Sequence, residues 1–229
     1  MNLTISKRLL AMILASAAAL LIVGITGLVT ASHLTKAIEV ANSDAIPSIV
    51  TGDDAQAAVL KVQIGLSRHI LNTDDAKMES LEKSIQTART TLSTKLNTYA
   101  KDLVSSDEDR KRIEAVQVAV KTFDESIDKA LNYSRQNKDD EARKSFEEIV
   151  QPSSEVAFKA LEDLSTLNGE NAEAEAEAAA SFSKTSRAIS IGVIALSIGV
   201  IGGMGFLLVR SIGGALQRVQ NTVGRIQRD

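Results

Sequence analysis

The sequence predicts an all-α protein: an antiparallel up-down-up-down four-helix bundle flanked by two transmembrane helices. Two apolar runs without a charged residue, residues 9–32 and 188–209, bracket the chain. Each exceeds the roughly 20 residues that span a bilayer as a helix. Between the runs, apolar side chains recur at helical spacing. Strand signals are nearly absent: aromatic residues make up 3% of the chain, and no sustained alternation of apolar and polar residues occurs.

The distribution of charge predicts an orientation. Lys7 and Arg8 precede the first run without an acid, and four arginines with one acid, Asp229, follow the second run. Residues 33–187 hold 20 basic and 28 acidic residues, a net charge of −8. Basic residues beside a membrane span mark its cytoplasmic side. We therefore expect a two-pass inner-membrane protein with both termini cytoplasmic and the acidic middle periplasmic.

The first run has an alternative interpretation as a cleaved signal peptide, because Lys7 and Arg8 form a basic start and Ala15-Ser16-Ala17 resembles a cleavage site. The run is longer than the roughly 7–15 apolar residues of such a signal, however, and the helical pattern continues beyond it. We therefore predict five segments. These are a cytoplasmic N-terminus (1–8), a transmembrane helix (9–32), a periplasmic four-helix-bundle ligand-binding domain (33–187), a second transmembrane helix (188–209) and a basic juxtamembrane segment (210–229).

Four helices are predicted between the two runs. Helix one continues from the first run to Ile70 and ends at a turn-rich cluster, residues 72–75. Helix two has apolar positions at Leu81, Ile85, Ala88, Leu92, Leu96, Tyr99 and Leu103. Helix three begins after the N-cap signal Ser105-Ser106-Asp107, with 3–4 spacing at Ile113, Val116, Val120, Phe123, Ile127, Ala130 and Ser134. After a turn at residues 137–140, helix four carries Phe146, Ile149, Val156, Ala160, Leu164 and Leu167. Short turns make neighbouring helices antiparallel.

Catalytic chemistry finds no support in the sequence. The chain has no cysteine and two histidines, His33 and His69, and none of the HExxH, GxSxG, P-loop or GxGxxG motifs occurs. The many carboxylates fall on helix faces, where charge usually serves solvation, and His69 is interpreted as a surface residue. We expect no enzyme, no catalytic residue, no metal site, no cofactor and no nucleic-acid partner.

Two short segments indicate a binding site instead. Gly65-Leu66-Ser67-Arg68 lies near the outer end of helix one, and Arg68 offers a planar group with five donors, suited to a carboxylate. Pro152 interrupts helix four, so the carbonyl of Glu148 loses its hydrogen bond. That carbonyl and the Ser153 hydroxyl are then free to accept from an ammonium or hydroxyl group. The alternative is that Arg68 is a surface base and Pro152 a kink.

The order of span, four-helix bundle, span and basic juxtamembrane helix resembles the amino-terminal half of bacterial methyl-accepting chemotaxis receptors. Leu66-Ser67-Arg68 and Gln151-Pro152-Ser153 are similar to segments of the aspartate and serine receptors. In those receptors the arginine holds the ligand carboxylate, and the second segment holds the amino group. The resemblance implies that Arg68, Gln151, Ser153 and the carbonyl near Glu148 contact a small carboxylate ligand.

The sequence departs from those receptors on helix one. They place two further arginines there, where this chain has Gln63 and Asn72. An aspartate-type clamp of three arginines is therefore absent, and Asn72 is kept as an uncharged candidate contact. One carboxylate remains easy to hold, whereas a second would need help from Lys61, Arg89 or Lys121.

The tail is also similar to a known element. Residues 209–216, followed by Val219, Val223 and Ile226, resemble the first helix of a HAMP linker, although that linker usually has proline where Ala215 stands. We expect the chain to be cut within the linker of a longer receptor. A kinase and an adaptor protein would then act only through a cytoplasmic region after Asp229.

The sequence thus predicts a transmembrane chemoreceptor in the lipid bilayer, a homodimer that passes a ligand-induced helix displacement to a HAMP region. Small residues on the two spans, Ala11, Ala15 and Ala19 on the first and Gly199 and Gly203 on the second, suit close helix packing or simply reflect the composition of membrane helices. Two alternatives remain open. One is the input module of a sensor histidine kinase or diguanylate cyclase, and the other is a membrane-anchored bundle that binds a protein partner.

Overall fold

The computed structural model of the chain describes residues 4–226, and every regular element in that range is helical. The elements are α1 (Ile5–Val40), a first π turn (Ala41–Ala45), α2 (Ile46–Ile70), α3 (Asp75–Thr98), a second π turn (Tyr99–Leu103), α4 (Asp107–Arg135), α5 (Asp139–Ser145), a third π turn (Phe146–Val150) and α6 (Gln151–Ile226). The predicted all-α class is confirmed. The chain divides into two compact units, residues 37–176 and the described residues of 1–36 and 177–229.

Residues 37–176 form the four-helix bundle, built from α2, α3, α4 and the run from α5 into the first part of α6. The core of α3 and α4 follows the predicted 3–4 spacing, with buried side chains at Ile85, Ala88, Leu92, Leu96, Ile113, Val116, Val120, Phe123, Ile127 and Ala130. Each large apolar side chain that leaves water contributes about 1.5–3 kcal/mol. With aromatic residues this scarce, aliphatic packing supplies most of the apolar stabilisation.

Two glycines let α2 approach its neighbours closely. A Cβ atom at Gly52 would lie 2.6 Å from Oγ of Ser165 in α6, and one at Gly65 would lie 2.7 Å from Cγ1 of Ile85 in α3. Both distances are shorter than a side chain tolerates. At these two levels of the bundle, the backbone of α2 therefore touches the side chains of α6 and α3.

The turns between helices are fixed by side-chain and backbone caps. Asp74 caps α3 by accepting hydrogen bonds from the amides of Ala76 and Lys77, and Ser106 caps α4 by accepting from the amide of Asp109. After α4, Asn137 has a positive φ of 55°. The Lys138 amide then donates to the Tyr133 carbonyl at 3.1 Å, which completes a Schellman-type C-cap. The predicted turns at 72–75, 105–107 and 137–140 are confirmed.

Both prolines follow a π turn by two residues: Pro47 follows Ala41–Ala45, and Pro152 follows Phe146–Val150. Proline has no N–H to donate, and its ring clashes with the carbonyl four residues back. A π turn contains one extra residue, so its amides reach five residues back; the Gln151 amide donates to the Phe146 carbonyl. The helical path therefore continues through each proline.

The first part of helix four is buried one residue out of the predicted register, whereas Leu164 further along is buried as predicted. Ile149 and Val156 were predicted to face the core, but 36% and 60% of their surfaces are exposed. Val150, Ala157 and Leu161 are buried instead. The extra residue of the third π turn is the physical reason, because one additional residue rotates everything after it by about 100°.

A cluster of three buried polar side chains, Tyr99, Asp109 and Asn168, joins the helices at the α3–α4 turn. The Tyr99 hydroxyl donates to Oδ1 of Asp109 at 2.7 Å, and the Asn168 amide nitrogen donates to the Tyr99 oxygen at 2.6 Å. The backbone amide of Ser105 donates to Oδ2 of Asp109 at 2.9 Å. Burial raises the pKa of Tyr99, and the hydrogen bond to Asp109 raises it further, so the phenol remains a donor.

The other unit contains two apolar helices. The helical runs Ser6–Ile70 and Asp139–Gly214 each include a stretch long and apolar enough to cross a bilayer. Within this unit, Oγ1 of Thr26 and Oγ of Ser190 are 3.2 Å apart, and the rings of His33 and Phe182 are 4.2 Å apart. The predicted juxtamembrane segment continues α6 to Ile226, and residues 227–229 lie outside the described residues.

The small residues of the two apolar runs lie in different surroundings. Ala11, Ala15 and Ala19 are each half-buried on α1. In contrast, nothing lies within 4 Å of a Cβ atom built at Gly199 or Gly203. The alanine face of the first run therefore contributes to packing inside one chain. Among the described residues, nothing packs closely against Gly199 and Gly203 of the second run.

We predict that Tyr99→Phe destabilises the bundle by about 2 kcal/mol, because it leaves the buried Asp109 carboxylate without one of its donors. Tyr133→Phe is the matched control, since Tyr133 lies in the same bundle but its hydroxyl has no hydrogen-bond partner among the described residues. Thermal unfolding of the full chain in detergent, followed by circular dichroism, measures the difference. Equal melting temperatures for the two variants would contradict the prediction.

Candidate functional site

Arg68 lies at the outer end of α2, exposed to solvent, two residues before that helix ends at Ile70. Asn72 follows in the turn, where its Oδ1 accepts a hydrogen bond from the Asp74 amide at 3.3 Å. The carbonyl oxygen of the Asn72 side chain thus orders the α2–α3 turn. Arg68 has no ion pair or side-chain hydrogen bond among the described residues, and Asn72 lies on the loop just after it.

The residue after Arg68 is completely buried. His69 has 0% exposure, with Nδ1 2.9 Å from Oγ of Ser134 and Nε2 3.1 Å from Oε1 of Glu82. Arg135 donates to both oxygens of Glu82, at 2.8 and 2.7 Å. The interpretation of His69 as a surface residue is wrong, because this tip cluster (His69, Glu82, Ser134 and Arg135) joins α2, α3 and α4.

The sequence contained a signal for this burial. Val62, Leu66 and Ile70 continue the core stripe of α2, and His69 lies on the same stripe because it follows Leu66 by three residues and Val62 by seven. A polar residue at a core position needs hydrogen-bond partners, and only the fold supplies them, from α3 and α4. With His69 held on both ring nitrogens, the backbone that carries Arg68 is held in place.

Gln151 lies beside the segment that carries Arg68. A cleft of about 160 Å³ is lined by Ser67, Ile70 and Leu71 from the outer end of α2, and by Arg143, Phe146, Glu147 and Gln151 from the fourth helix. The two predicted motifs therefore meet across this outer cleft. Arg143, which sequence reasoning missed, adds a guanidinium to the cleft lining; its Nη2 lies 3.4 Å from the exposed carboxylate of Asp140.

Ser153 and Glu148 lie on the other side of the fourth helix. The Ser153 side chain is buried; its Oγ donates to the Val150 carbonyl at 2.9 Å and lies 2.8 Å from Oγ of Ser126 in α4. Glu148 is exposed and lines a separate cleft with residues of α4, among them Lys129 and Tyr133. The structure therefore brings Gln151 to the Arg68 segment but leaves Ser153 and Glu148 facing α4.

The basic residues proposed to supplement Arg68 differ in their surroundings. Arg89 donates to Oδ1 of Asp124 at 2.9 Å and to Oδ1 of Asp128 at 2.6 Å. The hydrogen bond to Asp128 raises the pKa of Arg89 despite partial burial. Arg89 therefore joins α3 to α4 and is occupied within the bundle. Lys61 and Lys121 are exposed.

The comparison with protein families agrees with the four-helix bundle. A model described as a four-helix-bundle sensory module for signal transduction, the sensory half of chemotaxis receptors, matches residues 2–182. The chain belongs to this family. Searches of the curated proteins and of the solved structures found no significant match. The family is a sensory signalling module rather than a catalytic domain, and the match covers the whole of the bundle.

The tip cluster predicts a pH-dependent contribution to stability. The hydrogen bond from Arg135 lowers the pKa of Glu82 below its ordinary value of 4.5. A lowered folded-state pKa stabilises the fold above the unfolded-state pKa, and the effect is lost as pH falls through the folded-state value. We expect Glu82→Gln to cost about 1 kcal/mol near neutral pH and nothing once Glu82 is protonated.

Thermal unfolding of the full chain between about pH 7 and about pH 3 measures this effect. Glu125→Gln is the control, because Glu125 is an exposed acid of the same bundle that has no ion pair among the described residues; its melting curve should follow the parent at every pH. If the melting temperature of Glu82→Gln stayed equally far below that of the parent at acidic pH, the charge of Glu82 would not be the cause, and the prediction would be contradicted.

Proposed function

We propose that this protein is a two-pass transmembrane chemoreceptor. It senses a small extracellular carboxylate, such as an amino acid or organic acid, and passes a helix displacement to a cytoplasmic HAMP and signalling region in chemotaxis. One observation carries the proposal: an exposed Arg68, on backbone held by the tip cluster, lies next to the cleft that contains Gln151. Gln151 is the first residue of α6, which continues to Ile226. A ligand at this cleft therefore touches both α2 and the start of the helix that enters the second apolar run.

The chemistry of the outer cleft suits a carboxylate. The Arg68 guanidinium can donate two parallel hydrogen bonds to both oxygens of one carboxylate. The Gln151 amide can donate to or accept from a second polar group on the same ligand. Arg143 adds positive charge at the same opening. A ligand held in this way moves an equilibrium between helix arrangements only as far as its affinity differs between them, and shifts of about 1–2 Å are sufficient for such switches.

The charge distribution supports the proposed topology. Basic residues precede the first apolar run and follow the second, and the bundle between the two runs is acidic. Positive residues beside spans favour the cytoplasmic side. The termini are therefore assigned to the cytoplasm and the bundle, with Arg68 at its outer end, to the periplasm.

An exposed apolar stripe on α2 supports a homodimer. Ile46, Val50, Leu60, Ile64 and Leu71 are each between 47% and 73% exposed. With Asp53, Ala57 and Ser67 they occupy every position of an alternating 4–3 spacing, the pattern of knobs-into-holes packing between two helices. A second copy of the chain offers the same stripe, so a two-fold axis along it buries both. Arg68 directly follows Ser67 of the stripe, which brings the ligand site to the proposed interface.

We predict that Arg68→Ala weakens carboxylate binding by about 10–100-fold without unfolding the bundle, since it removes a charge-assisted hydrogen bond of about 1.5–3 kcal/mol. The full chain in detergent is first screened by thermal shift against amino acids and organic acids, and the best ligand is then titrated by calorimetry. Arg110→Ala is the control, because Arg110 is another exposed arginine of the bundle. Unchanged affinity in Arg68→Ala would refute the site.

The dimer is tested by disulfide cross-linking, for which the absence of native cysteine is an advantage. We expect Ile64→Cys to cross-link two full-length chains in membranes on oxidation, because a two-fold axis along the stripe places the two copies of position 64 opposite each other, as a disulfide requires. Val118→Cys, equally apolar and 68% exposed on α4, should not cross-link. Efficient cross-linking through Val118 and none through Ile64 would place the interface elsewhere.

A further inference from the structure

A second open site lies between α2 and α3, away from Arg68. This α2–α3 groove has a volume of about 510 Å³ and is lined by Asp54, Ala57, Ala58, Lys61, Ser84, Thr87, Ala88, Thr91 and Lys95. Its volume falls within the range of small-molecule sites. None of its residues belongs to the outer cleft or to the tip cluster.

Small side chains keep the groove open. Ala58 and Ala88 are buried and form its floor, where larger side chains would fill the space. Toward the tip, the close contact between Gly65 and Ile85 brings α2 against α3. At the opposite end, Nζ of Lys95 donates to Oδ2 of Asp54 at 2.6 Å and bridges the two helices. The groove is therefore bounded at both ends.

The polar groups of the groove have complementary roles. Lys61 is exposed, and no carboxylate lies within 4.0 Å of its Nζ among the described residues. The hydroxyls of Thr87 and Thr91 donate to carbonyls of their own helix, at 2.8 and 3.0 Å. Each of these oxygens therefore keeps lone pairs to accept from a ligand, so the groove offers a cation at one point and acceptors beside it.

The spacing of these groups sets the size of the ligand. Lys61 and Asp54 are seven residues apart on α2, about 10 Å along the helix axis. The Lys95–Asp54 ion pair leaves the groove with a single unpaired charge, that of Lys61. An anion with one carboxylate neutralises that charge. A second carboxylate would find the Lys95 ammonium already paired with Asp54, so a dicarboxylate gains less from this groove than a monocarboxylate.

We propose that the α2–α3 groove binds a small monocarboxylate that carries a hydroxyl or ammonium group, and binds it within one subunit. The carboxylate accepts from Nζ of Lys61, and the hydroxyl or ammonium donates to the side-chain oxygens of Thr87 and Thr91. The groove is thus a ligand site separate from the outer cleft. A ligand in this groove contacts α2 and α3 and does not contact Arg68 or α6.

Three probes test the assignment: lactate, L-alanine and propionate, three-carbon monocarboxylates whose middle carbon carries a hydroxyl, an ammonium or neither. Each is titrated by calorimetry into the full chain in lipid nanodiscs. We expect lactate and L-alanine to bind about tenfold more tightly than propionate, because propionate has no donor for the threonine oxygens.

The variants are Lys61→Gln and Thr91→Val. Their controls are Lys121→Gln, an exposed lysine of α4, and Thr90→Val, the neighbouring threonine that faces away from the groove.

The expected result is a loss of about tenfold or more in affinity in both variants, with both controls binding as the parent does. Circular dichroism establishes that each variant is folded. Binding that is lost in Arg68→Ala and kept in Lys61→Gln would overturn the groove while supporting the outer cleft. Absence of binding by all three probes, or equal affinity in Thr91→Val and Thr90→Val, would also overturn it.

Discussion

The buried carboxylate of Asp109 is the constraint on which the geometry of the bundle depends. Asp109 has 0% exposure, and no lysine or arginine nitrogen lies within ion-pair distance of it among the described residues. An anion buried without a cation must be stabilised by donors that converge on it. Those donors come from Tyr99, at the start of the π turn that follows α3, and from the turn before α4, while Asn168 of α6 supports the Tyr99 hydroxyl. These helices therefore have one relative register in which Asp109 is satisfied.

The tip cluster imposes a similar requirement at the opposite end of α3 and α4. His69, Glu82, Ser134 and Arg135 satisfy one another only when α2, α3 and α4 are in register. Between the two clusters the core is mostly aliphatic, with Phe123 as its one fully buried phenylalanine among the described residues, and it has few shapes that specify one alignment over another. The polar groups therefore select the register, and the apolar core supplies most of the free energy. This division also explains why candidate ligand residues can lie on exposed faces without weakening the fold.

Much of this arrangement could be predicted from the sequence. The 3–4 spacing of α3 and α4, the caps at Asp74 and Ser106 and the turn at Asn137 are local signals, and local physics decides them. The register of the fourth helix was not predictable from periodicity, because a single extra residue in a π turn moved Ile149 and Val156 to the surface. The burial of His69 and the existence of the α2–α3 groove were missed for another reason. Both depend on which residues of neighbouring helices lie opposite, and the spacing along one helix does not contain that information. Arg68 was found because its chemistry is visible in the side chain itself.

The π turns before Pro47 and Pro152 give the two longest helical paths a property that a regular helix lacks. An extra residue held in a π turn is a stored insertion, equivalent to about 1.5 Å of rise and about 100° of rotation. In the fourth helix it lies five residues or fewer before Gln151, at the outer cleft. Motion passed down α6 can therefore contain a screw component, since absorbing the extra residue of the π turn into a regular α-helix turns the helix as it lengthens it. The same turn precedes α2 at the other end of the bundle, so both helices that lead into the apolar runs possess this freedom.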